Sequence, residues 1–219
     1  GKASAQTTTE QIPITKGSFA SPASYIIFKD GDIIKAKNGK TGQVEFSGED
    51  AAEVIQQALD SSLEYDRIVL KGKFSINSQI TVKKPIHLIG GILEVDPSYD
   101  GTVICLDNQT DGSKFPALIA RMWIRSPSAG GWTGIKITGQ TKAMWDYRIK
   151  DVQIVWPKLG LDIDAGSNWI TAGKYIGLTI SRAETFIRLY GDVHGHRFVE
   201  CDFQHTRDTP VTLVRREGG

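Results

Sequence analysis

The chain has 219 residues, 40% of them hydrophobic, and its 26 Lys and Arg stand against 25 Asp and Glu for a formal net charge of +1. That is apolar mass enough for a sizeable core, while the near-balance of charge leaves no overall field to recruit nucleic acid or an anionic membrane. No apolar run approaches the roughly 18 residues of a membrane span, and Cys105 and Cys201 lie too far apart in sequence to form a metal-ligand spacing or to establish a disulfide.

Residues 1–24 are rich in Ser, Thr, Ala, Gln and Gly and read as a flexible tail or linker, able to lie along a neighbouring subunit. The chain opens on Gly rather than Met, so the lack of a leader peptide carries no information about export. From Tyr25 the pattern tightens into Tyr25–Phe28, Ile33–Lys37 and Gln43–Phe46, separated by Asp30-Gly31 and Asn38-Gly39, which predicts a β-meander. Ser47 followed by Asp50 then offers a capping serine with an acid three residues on. Ala51, Val54, Ile55, Ala58 and Leu59 recur at helical spacing, predicting a short helix from about Glu49 to Asp60. Its apolar stripe is expected to cover an otherwise open end of the following sheet, so residues 25–62 form an N-terminal hairpin and cap helix.

Residues 63–219 are a dense run of short β-rich segments, and from Ile135 onward they repeat. Gly134–Ile137, Gly160–Ile163 and Phe186–Leu189 stand 26 residues apart, with a shortened copy at Val211–Leu213. A second series is interleaved: Met122–Ile124, Val152–Ile154, Leu178–Ile180 and Cys201–Phe203. Two strand series sharing one variable period imply one coil per repeat, the coils stacking inward apolar residues into a continuous core: an all-β parallel solenoid. Cys201 falls on an inward position and is expected to be a buried free thiol. Val214–Gly219 follows a strand directly with no capping helix, so the solenoid is expected to continue past Gly219 or to be joined to a partner.

The stretch from Asn38-Gly39-Lys40-Thr41-Gly42 through Ser47-Gly48-Glu49-Asp50-Ala51-Ala52 to Ile55-Gln56-Gln57-Ala58-Leu59, followed by Ile68-Val69-Leu70-Lys71-Gly72, resembles the start of the pectin-lyase-like superfamily. The resemblance covers about residues 25 to 215 and implies a right-handed parallel β-helix with an N-terminal β-hairpin and short α-helical cap. It is specific for fold and weak for activity, because that superfamily includes lyases, glycoside hydrolases, tailspikes, adhesins and non-catalytic surface proteins. The Tyr25 to Phe46 hairpin is most similar to archaeal or viral surface and tailspike-type members. Arg148-Ile149-Lys150 and His194-Gly195-His196 look like fragments of a polygalacturonase signature, but in reversed order and without its Asn-Thr-Asp and Asp-Asp parts, and no segment matches the calcium-binding acidic cluster of pectate lyases.

Asp162 and Asp164 sit two apart on one strand and so share its outward face, as a glycosidase acid and base would. The 26-residue spacing sets Lys136 and Arg188 one coil to either side of Asp162, which makes an alternating-charge ladder the competing explanation for that aspartate. Asp164, between Thr138 and Tyr190 with no cation on its own rung, is the better functional candidate. His194, His196 and His205 cluster near Asp192, Glu200 and Asp202; they are weak metal-ligand candidates, since no ligand spacing is present, and a solvated polar turn is the favoured explanation. The five tryptophans, Trp123, Trp132, Trp145, Trp156 and Trp169, all fall within one short stretch. They read as glycan-stacking rings, as subunit contacts in a homotrimer, or as rings packed beneath the turns of their own coils, with Trp123 pointing outward.

The tail, the open C-terminal end, the tryptophans and the failure of every catalytic motif favour a non-enzymatic structural or adhesive protein of the surface or virion, a tailspike, fibre or adhesin. Such a protein would be extracellular and would act through self-assembly and contact with cell-surface polysaccharide, with no cofactor, no nucleic acid and no membrane insertion. The alternative is a polysaccharide lyase or glycoside hydrolase using Asp164, Asp202 and His196 in an acidic groove.

Overall fold

The computed structural model describes residues 23–204 and the backbone of 213–216. Residues 1–22 of the expected tail and the residues after the last strand, with His205, lie outside the described residues. Strands β1 (Tyr25–Asp30), β2 (Ile33–Asn38) and β3 (Val44–Gly48) form the antiparallel meander, and β1 then pairs in parallel with β4 (Arg67–Lys71), handing the sheet from one pairing mode to the other. Helix α1 (Ala51–Ser61) buries Ala51, Ala52, Val54, Ile55, Ala58 and Leu59. Its N-cap is Asp50, whose Oδ1 accepts from the Glu53 N–H at 3.1 Å. The expected Ser47 cap is corrected: Ser47 is still inside β3, opposite Lys35.

Each following coil crosses three sheet faces rather than the two that the repeat predicts. The first face stacks β4, β7 (His87–Ile89), the start of β10 (Leu118–Arg125), the start of β13 (Arg148–Val155), β15 (Lys174–Ile176) and β18 (Arg197–Val199). The second stacks β5 (Lys73–Ile76), β8 (Ile92–Val95), the ends of β10 and β13, β16 (Thr179–Ser181) and β19 (Asp202–Gln204). The third stacks β6 (Ile80–Val82), β9 (Thr102–Asp107), β11 (Thr133–Thr138), β14 (Leu159–Thr171), β17 (Thr185–His194) and β20 (Leu213–Arg216), with the short β12 (Met144–Trp145) beside the far end of β14. The result is an all-β, parallel, solenoid-like architecture.

A left-handed residue makes the bend between the first and second faces. Gly72, Gly90, Gly91 and Gly177 supply it in some coils, and Arg121 (φ 55°), Asp151 (φ 54°) and Glu200 (φ 53°) in others. Because the bend occupies a single residue, β10 and β13 run through it unbroken, which is why the first face is not visible as a separate apolar block.

Alternation then fills the interior with aligned columns. Ile68, Leu88, Ile119, Ile149 and Tyr175 line the first face inwardly, Phe74, Leu93, Ile124, Ile154 and Ile180 the second, and Ile80, Ile104, Ile135, Leu161 and Ile187 the third. Each fully buried aliphatic side chain contributes about 1.5–3 kcal/mol. Gly160 lets two faces meet, since a Cβ there would stand 2.5 Å from Ile180 Cγ2.

Candidate functional site

On the third face the strand alternation that buries Leu161 and Ile163 turns Asp162 and Asp164 to the other side, and the register sets Asp162 between Lys136 and Arg188, and Asp164 between Thr138 and Tyr190. Arg188 holds both oxygens of Asp162: Nε donates to Oδ1 at 2.8 Å and Nη2 to Oδ2 at 2.6 Å. That bonding raises the Arg188 pKa further. Under these contacts the Asp162 side chain is only 3% exposed, so a residue on the outward side of its strand is in fact sealed. Lys136 lies 4.0 Å from Asp162 Oδ2 and 3.3 Å from Asp164 Oδ2. Asp164 has no cation on its own rung, Thr138 and Tyr190 standing to either side, but a lysine side chain is long enough to reach it diagonally from the Asp162 rung, which a rung-by-rung reading leaves out.

Asp164 Oδ1 also accepts from the Gly166 N–H at 3.1 Å, and its side chain keeps 16% of its surface open. It opens into an elongated groove of ≈ 590 Å³ with Lys158, Glu184, Arg188 and Tyr190 in its lining. Glu184 is at the opposite end: its neighbour Thr185 pairs with Leu159, five residues before Asp164, or ~16 Å along the strand at about 3.3 Å per residue. The groove thus presents the partly open Asp164 among cations, with a 40% exposed tyrosine one coil above it and the exposed Glu184 at its far end. Glu184 and Lys158 escape a strand-based reading because they sit in the turn entering the third face, where no periodicity marks orientation.

The other candidates are elsewhere. Asp202 is exposed on the second face, where it accepts from Gln204 Nε2. His196 points inward: Nδ1 lies 3.3 Å from the Tyr147 hydroxyl and 3.4 Å from that of Tyr175, Nε2 lies 3.3 Å from the Ile170 carbonyl, and burial pushes its pKa down. The two hydroxyls are 2.8 Å apart and burial pushes both well up. Asp164, Asp202 and His196 therefore occupy three separate surroundings rather than one groove. His194 pairs with Asp192 at 3.0 Å, and among the described residues no three His, Cys, Asp or Glu side chains converge as a metal would need. Both cysteines are free; Cys201 is half-buried rather than buried, donating to the Tyr175 carbonyl near the last described coil, while burial pushes Cys105 up to about 12.

Of the tryptophans, Trp132 is fully buried, Trp145 and Trp156 are half-buried beneath Lys114 and Arg182, and Trp169 is half-buried. Trp123 is 43% exposed, pointing outward as alternation requires. One exposed ring in five does not make the aromatic flank expected of an adhesive surface.

No family model and no curated protein matches the chain. Among solved structures, a "putative glycosyl hydrolase" from Parabacteroides merdae ATCC 43184 matches at 14% identity and TM-score 0.20, over 69% of this chain and 87% of that one. A likeness of that size carries no argument about activity, yet the description it bears is an enzyme's and runs against the expected tailspike, fibre or adhesin. The expectation of a non-enzymatic structural or adhesive protein is accordingly corrected: the match bears an enzyme's description, and of the tryptophans that supported the expectation only Trp123 is exposed. No helix among the described residues is long and apolar enough to cross a membrane.

Proposed function

We propose that the chain is a carbohydrate-active enzyme, a polysaccharide lyase or glycoside hydrolase, working in the groove of the third face with Asp164 as the carboxylate that meets the substrate. The observation that carries this reading is the placement of Asp164: a partly open carboxylate between Lys136 and Tyr190 on the floor of a long groove. Tyr190 offers a ring face to a pyranose, and the groove's length suits a chain of several sugars. Asp162 is excluded as partner acid, because Arg188 takes both its oxygens, and Glu184 is too distant for the 5–9.5 Å that paired carboxylates require. One carboxylate among cations suits elimination, in which it removes a proton while Lys136, Lys158 or Arg188 faces developing negative charge. It suits equally a hydrolysis in which the substrate supplies the second group.

The finer fold belongs to the same proposal: a right-handed β-helix of the pectin-lyase-like kind, supported by the right-handedness of about 98% of parallel strand crossovers. A polymeric substrate makes export from the cell part of the reading as well.

Incubation with acidic and neutral polysaccharides tests it. New reducing ends alone mean hydrolysis, and new reducing ends with the ultraviolet absorbance of an unsaturated sugar mean elimination. Asp164→Asn is expected to lower the rate by about 10²–10⁴-fold with thermal unfolding unchanged. Undiminished cleavage by that variant, or no cleavage across the panel, overturns the proposal.

A further inference from the structure

The molecule carries a second charged ladder, and its signs do not alternate. On the first face the register runs Arg67, His87, Leu118, Arg148, Lys174, Arg197, one residue per coil over six coils. Five of the six are basic, and Lys150 stands in the neighbouring column between Ala120 and Ile176. Like charges directly opposite one another destabilise a sheet, so this column contrasts with the neutralised Lys136, Asp162, Arg188 ladder of the third face. Among the described residues Asp146 alone answers it at close range, 3.3 Å from Lys174 and 4.0 Å from Arg148. Asp151 and Glu200 stand at the bend beyond. Among the described residues neither Lys150 nor Arg197 has an ion pair or side-chain hydrogen bond, and Arg67 Nε is buried with no partner at all. His87 is pushed down by burial and then by Arg67 and Arg148, so the repulsion within the column already works on its own members. Between Lys174 and Arg197 lies a cleft of ≈ 230 Å³ floored by Ala172 and Gly195. In a chain of net charge +1 this is a local cationic stripe only partly answered by counter-charge.

The geometry points to a binding site for a linear acidic polysaccharide, laid along the stacking direction of the coils with its carboxylate or sulfate groups on successive cations. Neighbouring coils are about 4.8 Å apart, close to the advance of one pyranose along an extended glycan. Duplex DNA presents a charge per strand about every 3.4 Å, and single-stranded nucleic acid needs aromatic platforms for its bases. The outward column beside the cations is Val69, Ile89, Ala120, Lys150, Ile176 and Val199, with no aromatic ring. The site lies on a different face from the Asp164 groove and does not depend on cleavage there.

Binding of a fluorescent alginate oligosaccharide, a sulfated dextran, a neutral glucan and a single-stranded oligonucleotide to the full chain tests the inference. Either acidic glycan binding, weakening as salt is raised, with the neutral glucan failing to bind, supports it; alginate against dextran sulfate tells carboxylate from sulfate recognition. Removing Arg148, Lys174 and Arg197 together to Ala is expected to weaken binding about fivefold per cation, roughly a hundredfold in all. Lys40→Ala, which removes an exposed cation between β2 and β3 away from both sites, is expected to bind as the parent does. Salt-independent binding, tighter binding of the oligonucleotide, or acidic-glycan binding that the triple variant retains in full each overturns it. The parent protein's salt and ligand dependence decides the matter even if the triple variant does not fold.

Discussion

Replacing Arg188 by Met strips the guanidinium from a carboxylate that has almost no access to water. Asp162 is 3% exposed, and the two bonds of 2.8 and 2.6 Å from Arg188 satisfy it, while Lys136 stands off at 4.0 Å. Breaking a buried pair from one side costs about 3–5 kcal/mol. Arg188 is itself 45% exposed and Lys136 remains, so the expected loss is reduced to roughly 2–3 kcal/mol. Asp162→Leu leaves a cation that can swing into solvent and is expected to cost ~1 kcal/mol or less. The double variant, with no charge left to bury, is expected near the parent stability, giving a coupling of about 2–4 kcal/mol in the double-mutant cycle. Urea unfolding followed by circular dichroism measures all four proteins. Arg188→Met costing under ~0.5 kcal/mol, or single losses that simply add in the double variant, refutes the reasoning that burial makes this pair matter.

At the bend, Arg121→Gly is expected to stabilise by about 0.5–1 kcal/mol, since relief of a left-handed non-glycine residue exceeds the added freedom of the unfolded chain; a lowered urea midpoint counts against it. Gly160→Ala pushes a methyl against Ile180 and is expected to cost about 1–3 kcal/mol, read as a fall in midpoint. His196 has its pKa lowered by burial, so its neutral form belongs to the folded state. Stability is then fully present above the unfolded value of about 6.5 and is lost as pH falls from there toward the folded pKa. His196→Gln is expected to flatten that part of the pH profile, leaving the His87 share, and an unchanged slope contradicts the assignment. Cys105, pushed up to about 12 by burial, is expected to resist thiol reagents at neutral pH in the folded protein and to react once unfolded.

The inward columns were legible because alternation and the repeat spacing fix them together: Ile135, Leu161 and Ile187 stack where a 26-residue ruler sets them, and the Lys136, Asp162, Arg188 ladder follows from the same ruler. The meander and the apolar stripe of α1 were legible too, because each is a local pattern. The first face was not. Its strands run without a break into the second through bends made by single residues such as Arg121 and Asp151, and nothing local marks a left-handed arginine.

Reach and shielding belong to the assembled sheet as well. Sequence turned both aspartates outward; only the stacked coils decided that Arg188 would seal Asp162, that Lys136 would cross to Asp164, and that Asp202 and His196 would lie away from both. The amino-acid sequence by itself determined which side of a strand each residue takes, since alternation is a property of one chain segment. The tertiary structure decided what stands beside each residue, since neighbours in a stacked sheet come from other coils and a side chain's reach spans more than one rung.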